Sequence, residues 1–298
     1  MTLIDRLSRG VVVADGAMGT QLQRAGLPIG ASGERWNVDH PDRVLAIHQA
    51  YLDAGSDLIL TNTFGATRWI LERHGIADQR DDVNRAAARL ARQAAGAGRL
   101  VIGDLGPTGQ LLEPLGPVTR AELMEDATAR CRTLLDEGVD GIICETLTAA
   151  DEAAAVVEAA LAAGAPYVIA SFAFDKRPNG RVRTMMGLAP AEAADCARAA
   201  GASMVGANCG THLDVADFAQ LAGDLAAASG VPVMIQPNAG QPILEGGLAV
   251  YKMGASDFAE GMKAVLSAGA AIVGGCCGTG PEHIRALRAL VGEGQTRV

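Results

Sequence analysis

The chain has 298 residues, 49% hydrophobic and 20% charged, a globular composition long enough for one large core or two smaller ones. A formal net charge of −9 argues against nucleic acid or a membrane surface as partner, since both select basic proteins. No apolar run reaches the roughly 20 residues of a membrane helix, and VVVA near the N-terminus falls short of the ~7–15-residue core of a signal peptide, so a cytoplasmic protein with six reduced cysteines is expected.

Short β-rich runs recur along the chain, each opening on near-continuous apolar residues as strands buried on both faces do. They span Val11–Gly16, Asp57–Gly65, Leu100–Gly106, Gly141–Leu147, Tyr167–Phe174, Ser203–Gly210, Val231–Gly240 and Ala271–Gly278. Segments with helical apolar spacing alternate with them, among them PDRVLAIHQAYLDAG, RAELMEDATARCRTLLDEG, ADEAAAVVEAALAAG and DFAEGMKAVLSAG. These four end on a Gly, the usual C-terminal stop. Pro281 stands in the first turn of PEHIRALRALVG, where Pro is tolerated. Eight such units predict a (β/α)8 TIM barrel of the α/β class, typically about 250 residues before insertions. An open doubly wound sheet is the alternative, but eight units with none left over favour closure. No composition break marks a boundary, so residues 1–298 are expected to form one domain. The largest insertion, residues 21–42, follows strand 1 and contains Trp36.

Polar residues gather at the C-terminal ends of these strands. They are Asp15-Gly16, Thr61-Asn62-Thr63, Asp104, Glu145-Thr146, Asn208-Cys209, Gln236-Pro237-Asn238 and Cys276-Cys277. A barrel brings all of them to one mouth, so Cys209 can meet Cys276 and Cys277. Three thiolates suit zinc, and a catalytic zinc keeps a fourth position open. Adjacent strand residues point to opposite faces, so both sulfurs of the pair can reach one ion only from an irregular turn, which Gly274, Gly275 and Gly278 permit. A zinc held by three thiolates is a weak activator of water and suits a substrate thiol, which loses its proton on binding. Asp15 and Glu145 at the same mouth could hold that substrate's ammonium group. Asp104 and Asn238 are open to either loop hydrogen bonding or substrate contact. Cys131, Cys144 and Cys196 are expected to be core residues, and none of the five histidines stands at a strand end.

The motifs DGAMGTQL, TNTFGA, GDLGPTG, ET, GANCGT, PNAGQP and GGCCGTGPEH resemble, in order and over nearly the whole chain, those of the zinc-dependent homocysteine S-methyltransferases. The resemblance implies a homocysteine-binding (β/α)8 barrel in which Cys209, Cys276 and Cys277 hold Zn2+ and act in catalysis through it. Asp15 and Glu145 match the acids that bind the homocysteine ammonium, Gly16 and its neighbours the amides facing the carboxylate, and Thr61 the strand-2 substrate motif. The implied reaction is methyl transfer to L-homocysteine, giving methionine. The donor stays open between betaine, S-methylmethionine or a related onium compound, and methylcobalamin on a separate corrinoid protein. The betaine-using branch has tyrosines where this chain has Gly65 and Thr146, which weakens a cage for a quaternary ammonium. Trp36 could supply one wall. GDLGPTG and PNAGQPILEGG look more like the homocysteine module of cobalamin-dependent methionine synthase, so a non-catalytic homocysteine- and zinc-binding subunit of a split synthase is the alternative.

Overall fold

A computed structural model describes residues 1–246 and 248–292; the last six residues of the expected 1–298 domain lie outside the described residues. Eight parallel strands form the central sheet: β1 (Val12–Val13), β2 (Leu58–Leu60), β3 (Leu100–Leu105), β4 (Gly141–Leu147), β5 (Val168–Phe172), β6 (Met204–Asn208), β7 (Val233–Gln236) and β8 (Ile272–Val273). Each of β3 to β8 pairs with its predecessor, and β8 also pairs with β1, which brings the sheet round to a nearly closed (β/α)8 barrel. The β1–β2 seam has no regular ladder. It is tied by Asp57 N–H donating to Val13 O (2.7 Å), and two carboxylates stand in for missing carbonyls. Val13 N–H donates to Asp57 Oδ2 (2.9 Å) and Leu60 N–H to Asp15 Oδ2 (2.9 Å).

Side-chain alternation along each strand divides the sheet into two buried faces. The barrel interior is one cluster of Val12, Ala14, Leu58, Leu100, Ile102, Ile143, Ile169, Met204, Met234 and Ile272, joined by Leu3. The outer face packs on the surrounding helices, whose contact surfaces are rich in alanine, for example Ala87, Ala88, Ala91, Ala155, Ala159 and Ala194. Small side chains bring helix backbones close to the sheet, which is how a chain with 3% aromatics fills its core. No helix among the described residues is long and apolar enough to cross a membrane.

Several elements go beyond the sequence reading. A short helix, Leu3–Leu7, is set by a capping box in which Thr2 and Asp5 exchange side-chain and backbone hydrogen bonds. The insertion after β1 folds into helices Met18–Arg24 and Trp36–Asp39. Two antiparallel hairpins rise past the ends of β5 and β7: Phe174–Lys176 with Val182–Thr184, and Ile243–Glu245 with Leu248–Val250. Both follow strand C-termini, so they extend the mouth where a barrel's chemistry is placed.

Candidate active site

The interior face changes character near the mouth. Two residues beyond Ile102, Ile143, Ile169 and Met234 stand Asp104, Glu145, Ser171 and Gln236, and the register pairs Asn208 with Gln236. A period of two therefore turns these polar side chains toward the same axis as the apolar layer beneath.

The three predicted cysteines converge there. Their sulfurs all lie within 4.8 Å of one another, and Cys209 Sγ is 3.8 Å from Cys277 Sγ. That is far beyond a disulfide's ~2.05 Å. It equals the edge of about 3.8 Å expected for sulfurs about 2.3 Å from a tetrahedral zinc. The donor set and its spacing fit a thiophilic ion. Hydrogen bonds from Cys276 and Cys277 pull the Cys209 thiol well below its ordinary pKa, while sharing that sulfur raises the other two.

A turn aims the pair. Thr279 N–H donates to Cys276 O (3.1 Å), and Gly278 has φ +81°, the value needed at the third residue of a type II turn. Gly274 and Gly275 serve differently from the sequence reading: neither has a positive φ. A Cβ on Gly275 would stand 2.4 Å from Thr279 Oγ1, and one on Gly274 2.8 Å from Asp15 O. They allow close approach, so the end of β8 lies against the end of β1, with Gly275 N–H donating to Asp15 O (3.0 Å).

Asp15, Asp104 and Glu145 are buried. Burial raises Asp15 to about 8, and Glu145 adds to the shift. Glu145 rises to about 7, first through burial and then through the Cys209 charge, while a hydrogen bond with Asp104 opposes the rise. Burial also pushes Asp104 well up. At the strand ends, four buried side-chain atoms lack a hydrogen-bond partner among the described residues: Asp15 Oδ1, Asp104 Oδ1, Gln236 Oε1 and Asn238 Oδ1. All are acceptors. Asn238 is oriented by its Nδ2, which donates to Gly210 O (3.2 Å). An arrangement of this kind awaits a ligand rich in N–H donors.

Several of the strand-end residues brace the site, together with Ser171, which the sequence did not single out. Asn208 receives Thr146 N–H (3.1 Å) and Ser171 Oγ–H (2.7 Å) on Oδ1, and its Nδ2 donates to Thr146 Oγ1 (2.9 Å). It thereby clamps Thr146, the residue after Glu145, and itself precedes Cys209; both of these have an unusual backbone, Thr146 with φ +63° and Cys209 with φ +54°. Left-handed non-glycine residues are uncommon and gather at functional sites. The register of β4 shifts between Cys144 and Leu147, which re-aims Glu145. Thr61 is buried, and its hydroxyl is committed to Asp104 N–H (2.9 Å) and Thr63 Oγ1 (2.6 Å). Asn62 is a clamp as well, donating to Gly33 O and Asn37 Oδ1 (2.9 Å each). Beside Gly16, Ala17 N–H donates to Thr279 Oγ1 (3.1 Å).

The family model described as homocysteine S-methyltransferase matches residues 12–291. This chain belongs to the homocysteine S-methyltransferase family. It is 33% identical to methionine synthase of Mycobacterium tuberculosis over 97% of its own length and 25% of that protein's. Methionine synthase of Mycobacterium leprae is 32% identical over the same shares. The chain thus spans about a quarter of the length of these curated relatives. The fold is similar to that of the metallated form of the homocysteine methyltransferase MmuM from Escherichia coli, with a TM-score of 0.75 and 24% identity over 96% of this chain and 98% of that one.

In this chain the loops of β1 and β2 are locked together. Gly65 N–H donates to Glu34 Oε1 (2.8 Å), and a Cβ on Gly65 would lie 2.6 Å from that oxygen. No aromatic side chain fits there unless Glu34 moves. Trp36 is buried, with His40 edge-on at 4.8 Å and the Arg43 guanidinium 5.0 Å from its ring centroid. A cavity of about 540 Å³ opens beside the mouth between the β3 loop at 107–117, Thr146, Glu152, Met185 and Met186. Its lining includes Glu113, Asp151 and Glu152 and no basic residue. Of the remaining cysteines, Cys131 and Cys144 are buried in the core and Cys196 is partly buried. His283 caps its own helix, accepting from Gly280 N–H (3.1 Å).

Proposed function

We propose that this chain transfers a methyl group to L-homocysteine, forming methionine, and that its residues act as one homocysteine-binding barrel domain. The observation that carries the reading is a cluster of three sulfurs facing buried acceptor oxygens without partners, in one mouth. One substrate matches both halves: an amino acid whose side chain ends in a thiol. Cys209, Cys276 and Cys277 would hold Zn2+, which supplies the positive charge that keeps the substrate thiol ionised and nucleophilic near neutral pH. Asp15 and Glu145 accept hydrogen bonds from the substrate ammonium. Gly16 offers its amide to the carboxylate, since the Ala17 amide is taken by Thr279. Thr61 acts through Asp104, whose main chain it braces. The substrate sulfur attacks the donor methyl carbon as the bond to the donor's leaving atom breaks. A cationic donor leaves as a neutral molecule and needs no acid.

The cavity beside the mouth is large enough for a small donor, and its acidic lining favours an onium compound over an anion. A second reading, a homocysteine- and zinc-binding subunit of a split synthase served by a corrinoid protein, is supported by the 33% identity to methionine synthase and by apolar residues exposed on the mouth loops, among them Leu115 (67%), Met185 (60%) and Leu244 (77%). Reduced, purified protein is expected to contain one zinc and to turn over homocysteine with betaine, S-methylmethionine, dimethylsulfoniopropionate or S-adenosylmethionine. Turnover with methylcobalamin alone would favour the corrinoid reading. Absence of stoichiometric metal would overturn the function itself.

A further inference from the structure

We infer that Asp104 is a third substrate-contacting carboxylate, so that the ammonium group finds one acidic partner for each of its three N–H bonds: Asp15, Asp104 and Glu145. This rests on the homocysteine reading and extends its amino-acid subsite to β3.

The backbone of Asp104 is fixed on both sides. Its N–H donates to Thr61 Oγ1 (2.9 Å), and its C=O accepts from Thr63 Oγ1 (2.6 Å). Its side chain shares a hydrogen bond with Glu145, which leaves its second oxygen to be accounted for. Asp104 is 4% exposed, yet its Oδ1 has no hydrogen-bond partner among the described residues. Two residues beyond Ile102, it faces the barrel axis at the level of the mouth, within hydrogen-bond reach of Glu145. The charged groups acting on it are Glu145, Asp15 and Glu34 on the negative side and Arg130 on the positive. Arg130 does not satisfy it: Arg130 Nη2 donates instead to Thr63 O (2.8 Å). A buried carboxylate oxygen without a donor costs free energy that a bound cation recovers.

Asn238 gives an independent indication from the other side of the mouth. It is 8% exposed, its amide is oriented by Gly210 O, and its Oδ1 has no partner. Acceptors without partners thus stand at the ends of β1, β3 and β7, on the mouth side of the barrel. A primary ammonium has three donors and no acceptor.

The test measures homocysteine binding calorimetrically to the zinc-loaded protein and to Asp104→Asn, with melting temperature and metal content as controls. Asparagine keeps the shape and can still donate to Glu145, so folding and zinc should be unchanged while the Kd for homocysteine rises roughly tenfold or more. With 4-mercaptobutanoate, which keeps the thiol and carboxylate but lacks the ammonium, the penalty should disappear. Asp104→Ser serves as a second variant if the asparagine form does not fold. An unchanged Kd in Asp104→Asn, with Asp15→Asn and Glu145→Gln both weakened, would make Asp104 only a structural partner of Glu145 and overturn the inference. If none of the three substitutions affects homocysteine binding, the homocysteine reading of the site fails instead.

Discussion

Burial moves Asp15 from an ordinary 3.8 to about 8 and Glu145 from 4.5 to about 7. Between about pH 4 and 8 the folded protein therefore holds protons that the unfolded chain has released, so stability falls as pH rises across that window. The ligand-free protein is expected to melt progressively lower from pH 5 to pH 8, and Asp15→Asn should flatten that slope; a pH series of melting curves checks both. Homocysteine binding needs the ionised carboxylates, so it should release protons near pH 7, visible as a buffer-dependent binding enthalpy. Asp15 and the three cysteines were legible because their residue types carry the chemistry. Asn208 was legible as a strand-end residue but not as a brace, because its partners Thr146 and Ser171 reach it only when β4, β5 and β6 stand side by side. The hydroxyl of Thr61 is likewise claimed by a neighbour on another strand.

Elements set the angle at which these residues meet. The turn after β8 depends on Gly278, where φ is +81° and a Cβ would stand 2.2 Å from Tyr251 Cβ. Gly278→Ala is therefore expected to displace the Cys276–Cys277 turn and lower zinc occupancy and activity together, while far-ultraviolet circular dichroism stays close to that of the parent; metal analysis of the purified variant tests this. Strand and helix positions could be read from the chain because apolar runs and Gly stops are local signals. The Thr2–Asp5 capping box is also a local signal, and it was available in the sequence as T-x-x-D. The hairpins that begin at Phe174–Lys176 and Ile243–Glu245 follow the runs read as strands, which ended at Phe174 and Gly240, in polar segments that carry no strand period. The shift in β4 was hidden too, since a bulge shows only against a paired neighbour.

The whole molecule separates stability from chemistry by the two ends of its barrel. Away from the mouth, Asp57 ties β1 to β2 and receives the guanidinium groups of Arg6 (3.2 Å), Arg99 (3.3 Å) and Arg288. Asp57→Ala removes the seam bond and leaves three arginines facing one another. It should cost about 3 kcal/mol or more in denaturant unfolding, yet leave the Kd for homocysteine near that of the parent. Loss of both together would place Asp57 in the binding machinery. The sequence by itself determined the eight-unit alternation, the barrel it implies and the residue types at each strand end, because hydrophobic period and chemical identity are properties of the chain. Only the tertiary structure decided which of those residues point at one another. Closing the barrel brings Cys209 to 3.8 Å from Cys277, commits Thr61, Asn62 and Trp36 to bracing and packing, and leaves Asp15 and Asp104 each with an oxygen that nothing in the described fold satisfies. Those outcomes depend on distances across the mouth between residues far apart in the chain, and strand spacing and register alone set such distances.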